Sequence, residues 1–206
     1  MNTNPSAPKS GRHTPHTFAF DAEDLREALN VLKSGGVILY PTDTIWGLGC
    51  DATNAQAVER IYRIKQRPDS KALIVLANSE AMIANHTDNA PEVAWSIIEL
   101  AERPTTVIFD RARNLAPNLV AQDGSIAFRL TREDFSSQLC FHLRRPLVST
   151  SANVSGQPSP KTFADIPADI LNAVDYVVKY RRGDTTPHEP SAIIRIGNNN
   201  DVKVIR

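Results

Sequence analysis

From Phe18 onward the apolar positions recur with the periods of regular structure. Leu25, Ala28, Leu29 and Leu32 fall at i, i+3, i+4 and i+7, which predicts an amphipathic helix. Asp21 caps it, Glu23 and Asp24 suit the positive end of the helix dipole, and Gly35-Gly36 stops it. Val37 to Tyr40 is a short buried strand ended by Pro41. Residues 56–66 form a second helix, with Val58, Ile61 and Tyr62 on one face, and Pro68 forces the chain out of it. Strands are predicted over 72–77, 105–109, 125–130, 146–149, 175–180, 192–196 and 202–205. Helices are predicted over 79–85, 91–102, 135–144 and 164–172.

Strands and helices intermix without strict βαβ alternation. The pattern predicts a single α/β domain over residues 18–206, a mixed twisted sheet flanked by helices. Residues 1–17 carry three prolines and almost no apolar side chain, so they read as a flexible tail, not a secretory signal. Its His13 and His16 read as solvated side chains. No run of about 18 apolar residues predicts a membrane span. Hydrophobic residues are 41% and charged residues 22% of the 206, enough for a packed core. The formal net charge is zero, which argues against a surface that wraps nucleic acid everywhere but leaves room for a local basic groove. Two cysteines, Cys50 and Cys140, are too few for a disulfide scaffold and fit a reduced cytoplasmic setting.

Four segments carry candidate chemistry. Residues 41–49, PTDTIWGLG, follow a buried strand and offer the hydroxyls of Thr42 and Thr44, the Asp43 carboxylate and two glycines that permit close approach. Residues 60–71, RIYRIKQRPDSK, hold a net of four positive charges. Lys65 lies four residues after Ile61 on the apolar stripe, so its ammonium must face a polar cavity. Arg60 and Arg63 project from the other face and read as solvated. Lys65, Arg67 and Lys71 can converge on a polyphosphate, although the spacing is not that of a P-loop. Residues 149–156, STSANVSG, form a run rich in neutral donors after the strand 146–148, with small Ala152 and Gly156. Arg129 alternates onto the same strand face as Ser125 and Ala127, opposite Ile126 and Phe128, which implies a polar cleft on that face.

In this order the four segments resemble the YrdC-like family, the threonylcarbamoyl-AMP synthases. PTDTIWGLG at 41–49, KQRPDSKAL at 65–73, the strand arginine Arg129 and STSANVSG at 149–156 carry the resemblance, which covers about residues 20–206. The length is similar to that of the family's single-domain form. The chain departs from the family pattern at Trp46, where tyrosine is usual, and at Ala72, where proline is common. It departs again at Leu76, near a usual histidine, and at Ala101 to Pro104, which keep only the proline of a WPGP lead.

The resemblance implies an activity: L-threonine, bicarbonate and ATP become threonylcarbamoyl-AMP and pyrophosphate, for tRNA threonylcarbamoyladenosine modification. It implies that Thr44, Arg129, Ser149 and Ser191 contact threonine, with Arg129 on its carboxylate. It implies that Lys65, Arg67, Lys71, Ser125, Ser151, Asn153 and Arg206 surround ATP, with Lys65, Arg67, Ser151 and Asn153 as the catalytic set. Magnesium would come with ATP, since no Asp/Glu cluster suggests an all-protein cage. The residues carry no evident nucleophile–base motif, so positioning and charge neutralisation are the expected contribution. Substitution of Lys65 or Arg67 is expected to lower turnover by orders of magnitude at little cost to folding, and of Arg129 to raise the threonine requirement. The competing reading is an RNA-binding or regulatory relative without synthase activity. Arg60, Arg63, Lys65, Arg67 and Lys71 would then line a basic surface with Arg144-Arg145, Lys179, Arg181 and Arg182.

Overall fold

A computed structural model describes residues 18–66, 73–88, 90–197 and 201–206. The tail over 1–17, and Arg67, Lys71 and Ala72, lie outside the described residues. Helix α1 (Ala22–Lys33) starts where the acids predict, with the Asp21 side chain accepting from the Glu23 amide at 2.9 Å. Helix α2 (Ala55–Ile64) is capped by Asn54, whose side-chain Oδ1 accepts from the Gln56 and Ala57 amides, and it ends two residues earlier than the sequence suggests. Lys65 is its C-cap residue. Helices α3 (Glu80–Asn85), α4 (Glu92–Leu100), α5 (Asp134–Leu143) and α6 (Ala168–Ala173) follow. The single helix expected over 164–172 is instead a 3-10 turn, Phe163–Asp165, followed by α6. Pro167, which cannot donate a backbone hydrogen bond, separates them as the N-cap of α6.

The strands are β1 (Ile38–Tyr40), β2 (Gly47–Gly49), β3 (Ile74–Ala77), β4 (Thr105–Phe109), β5 (Ile126–Leu130), β6 (Leu147–Ser151), β7 (Tyr176–Val177), β8 (Ala192–Ile196) and β9 (Val202–Val204). Among the described residues they form a nine-stranded mixed sheet in the order β7-β1-β2-β6-β3-β5-β4-β8-β9. Parallel pairs are β1–β7, β3–β5 and β4–β8; the others are antiparallel.

Three strand readings change. Strand β2 lies inside what the sequence presents as a ligand loop, and it pairs with β1 on one side and β6 on the other. That pairing extends β6 through Ser151, so Thr150 and Ser151 are strand residues rather than a turn after a strand. The strand expected over 175–180 shrinks to Tyr176–Val177. Beyond it the chain is claimed by buried Asp24, which accepts from the backbone amides of Lys179 and Tyr180 and from the Tyr176 hydroxyl.

Alternation sorts the sheet into two faces. Val75, Phe128, Val107, Val148 and Ile194 stand in register on one face, and α2, α3 and α4 cover them with Val58, Ile61, Ile83 and Ala94. On the other face α1 and α5 cover Ile38, Tyr40, Leu76 and Leu147 with Leu29, Leu32, Phe135 and Leu139. Beside that cover the same face turns small or polar, at Gly47, Ser149, Ser151, Arg129 and Thr106. A core cannot form over such a row, and the cleft opens there.

Tight packing at the β1–β2 pair explains one of the motif's glycines. A Cβ on Gly49 would sit 2.5 Å from the buried Tyr40 ring and 2.9 Å from the Val148 carbonyl oxygen. Gly49→Ala is therefore expected to destabilise the protein by about 2 kcal/mol or more in urea unfolding. A loss under about 0.5 kcal/mol would contradict this packing.

Candidate active site

The cleft has a volume of about 220 Å³ and is lined from several strands at once. Thr44, Trp46 and Gly47 form one wall, Ser149, Thr150 and Ser151 of β6 the floor, and Arg129 of β5 one end. Ser159, Pro190, Ser191 and Arg206 complete the lining. A Cβ on Gly47 would lie 3.1 Å from Ser149 Oγ, so glycine keeps this hydroxyl accessible.

Arg129 is 3% exposed, and its guanidinium faces Asp43, itself 12% exposed, with Nη2 3.0 Å from Asp43 Oδ1. Nη2 also donates to Thr42 Oγ1 at 3.4 Å. The approach to Asp43 is close in distance but poorly aligned, since Asp43 Oδ1 forms no hydrogen bond, and Arg129 Nε has no partner either. A buried N–H without a partner costs free energy, so the site is primed for an acceptor such as a carboxylate. Thr42 organises the turn before β2: its hydroxyl donates to the Ile45 carbonyl at 2.8 Å, accepts from the Thr44 amide at 3.0 Å and lies 3.0 Å from Thr44 Oγ1. Ser191 Oγ lies 2.8 Å from Thr106 Oγ1, and the Ser191 carbonyl accepts from Arg206 Nη2 at 3.1 Å.

Lys65 is buried, as its place on the apolar stripe predicts, and its ammonium meets oxygen atoms of the chain. It is 1% exposed, and its ammonium donates to the Ser151 carbonyl at 2.5 Å, the Asn153 carbonyl at 2.7 Å and Asn153 Oδ1 at 3.3 Å. Its own carbonyl accepts from the Ser155 amide at 2.8 Å. Asn153 Nδ2 donates onward to the carbonyls of Val154 and Gln157. Lys65 and Asn153 thus clip the 151–157 loop to the end of α2 from behind the cleft. Losing Lys65 would leave the part-buried Ser151 carbonyl and the buried Asn153 carbonyl without this donor, so a cost in folding is now expected.

Ser125 shares the strand face of Arg129 but stands outside the cleft lining, its hydroxyl bound to Asp123 Oδ1 at 2.6 Å. Arg67 and Lys71 fall outside the described residues. Sequence reasoning singled out Thr44, Arg129, Ser149, Ser151, Ser191 and Arg206, and the fold brings all six to one cleft. It missed Ser159, which sits among prolines with no periodic signal, and the pairing of Asp43 with Arg129.

The basic-groove reading loses most of its cations to internal partners. Arg60, read as solvated, bonds Asp175 through both terminal nitrogens and so ties α2 to the start of β7. Asp175 is held below the usual carboxylate range: burial raises it, and the Arg60 guanidinium and the Val37 amide outweigh that. Arg145 pairs with Asp51, Arg181 with Asp184, and Arg182 stacks over Phe163.

Neither cysteine is placed for chemistry. Both are buried, and burial pushes the Cys50 thiol far up and the Cys140 thiol up to about 12. Both are expected to resist iodoacetamide at pH 8 in the folded protein and to react in urea. Stoichiometric labelling of the native protein within minutes would contradict this placement.

The Sua5_yciO_yrdC family model, described as "Telomere recombination", matches residues 30–206. A threonylcarbamoyl-AMP synthase of Pseudoalteromonas translucida is 36% identical over 176 residues, 84% of this chain and 93% of that protein. E. coli YciO superposes with a TM-score of 0.76 at 23% identity, covering 88% of this chain and 87% of its own. P. abyssi Sua5 in complex with L-threonine superposes with a TM-score of 0.75 at 24% identity, covering 88% of this chain; the match spans 53% of Sua5. At these identities the two superpositions speak for the fold. The motifs, the cleft and the sequence match converge, and the chain belongs to the Sua5/YciO/YrdC family.

Proposed function

We propose that this protein is a threonylcarbamoyl-AMP synthase, a nucleotidyltransferase whose cleft holds L-threonine at the Arg129 end and ATP toward Ser151. The observation that carries the reading is the Arg129 guanidinium, buried in the cleft with Nε unpartnered, facing a floor of hydroxyls. A carboxylate placed there gains a charge-assisted hydrogen bond that no group of the free protein supplies. Thr44, Ser149 and Ser191 surround that position and offer donors and acceptors to the rest of threonine. Sequence likeness to curated threonylcarbamoyl-AMP synthases supports the substrate set.

The chemistry is carbamate formation followed by adenylation. The threonine amine takes up bicarbonate with loss of water, and a carbamate oxygen attacks the α-phosphorus. The bond from the α-phosphorus to its bridging oxygen breaks, and pyrophosphate leaves with the electron pair. The cleft walls carry no carboxylate and no imidazole among the described residues, and two arginines, Arg129 and Arg206. Such a site contributes orientation and compensation of negative charge rather than a covalent nucleophile. No group of three or more His, Cys, Asp or Glu side chains suits a metal among the described residues, and hydroxyl donors fit magnesium that is already bound to the nucleotide phosphates. Bound together with ATP, magnesium would neutralise charge on the phosphates. Arg67 and Lys71 are proposed as further phosphate contacts and Ser125 as a nucleotide contact, on the resemblance of their motifs. The product serves tRNA modification. Cytoplasmic location is part of the same proposal; no described helix is long and apolar enough to cross a membrane.

Pyrophosphate release, with threonine, bicarbonate and ATP each omitted in turn, tests the reading. Release should require all three. Release that persists without threonine would overturn the assignment.

A further inference from the structure

We propose that Arg181 is a positioning residue for this reaction, bracing the Thr42–Thr44 turn from outside the cleft and thereby setting affinity for the amino-acid substrate. The inference rests on the reading that threonine binds beside Arg129.

Arg181 lies in the chain after β7 and is not part of the cleft lining. Its Nη1 donates to the Thr42 carbonyl at 3.0 Å. Its Nε and Nη2 donate to Asp184 Oδ2 at 3.2 and 2.9 Å, and Nη2 lies 2.8 Å from His188 Nε2. Asp184 is itself fixed, since Oδ1 accepts from the Thr186 amide at 3.0 Å. The guanidinium is therefore held in one orientation before it reaches Thr42. The backbone at Arg181 is left-handed, with φ of 61°, a conformation that a non-glycine residue keeps only where its surroundings hold it.

The brace meets the site at a sensitive point. Thr42 receives Arg181 on its carbonyl and Arg129 on its hydroxyl, and the same hydroxyl sets the turn through the Thr44 amide and the Ile45 carbonyl. Asp43, the counter-ion of Arg129, is the next residue. Releasing the Thr42 carbonyl lets Asp43 and Thr44 drift together, which loosens the carboxylate end. The Ser151 end, held by Lys65, is untouched. Arg182 adds a second grip, stacking 5.4 Å from the centre of the Phe163 ring, which packs on Trp46 of the same wall.

The test compares Arg181→Gln, Arg181→Lys, Asp184→Asn and the double variant Arg181→Gln/Asp184→Asn in the pyrophosphate assay. Threonine and ATP are titrated separately. Arg181→Gln should raise KM for threonine by roughly tenfold, with kcat and KM for ATP within about twofold of the parent. Arg181→Lys should recover most of that loss, because lysine can still donate to the carbonyl. Asp184→Asn should give a smaller rise of the same kind, and the double variant should be no worse than Arg181→Gln alone. An equal rise for ATP, no rise at all, or additive losses would overturn the brace. Amide hydrogen exchange over residues 42–46 gives a readout independent of turnover. It should quicken in Arg181→Gln while α1 and β4 keep their protection, and unchanged exchange would overturn the proposal. Should the parent protein release no pyrophosphate with threonine, the functional reading fails, and the exchange result alone decides the brace.

Discussion

Lys65→Met should lower turnover at least about a hundredfold and stability by about 3 kcal/mol, a fall in Tm of roughly 6–12 °C. Methionine fills similar volume, so the change isolates the ammonium. Without it the Ser151 and Asn153 carbonyls lose a donor that is itself 1% exposed. The loop that carries Ser151 then shifts, and a displacement of about 1 Å at a positioned group is enough for that loss of rate. Turnover and thermal unfolding are read on the same preparation. A variant with parental Tm and lost turnover would mean that Lys65 works on the phosphates directly and not through the loop.

Arg129→Lys should raise KM for threonine by roughly 10- to 100-fold and leave KM for ATP nearly unchanged. Lysine keeps the charge and loses the planar fork, including the Nε donor that has no partner in the free protein. Removing the charge outright is a poorer probe, because Asp43 would be left buried and uncompensated, at a cost of about 3–5 kcal/mol. The paired variant Asp43→Asn/Arg129→Gln avoids that cost and should fold while losing threonine-dependent pyrophosphate release. Steady-state titration of each substrate distinguishes the outcomes. An effect confined to ATP would move Arg129 to the nucleotide end of the cleft.

The sheet face of Arg129 was readable because strand alternation is a local property: Ile126 and Phe128 had to go to the core, so Arg129 had to go to the other side. Strand β2 was not readable in the same way. Gly47-Leu48-Gly49 has little strand preference of its own, and its conformation comes from β1 and β6 on either side. Missing it also misplaced Thr150 and Ser151, which became strand residues through that pairing. The position of Lys65 on an apolar stripe correctly announced a buried ammonium in need of oxygen atoms. Whether those oxygens belonged to a ligand or to the chain was beyond local reading, since the Ser151 carbonyl lies 86 positions away. Strand 175–180 failed for a similar reason: an aspartate in α1 takes the amides that a longer strand would have used.

A crystal structure of the protein soaked with L-threonine tests the central claim most directly. The carboxylate should lie within about 3 Å of the Arg129 guanidinium, including Nε, with the rest of the molecule between Thr44 and Ser149. Threonine seated elsewhere, with Arg129 Nε still bare, would contradict the account.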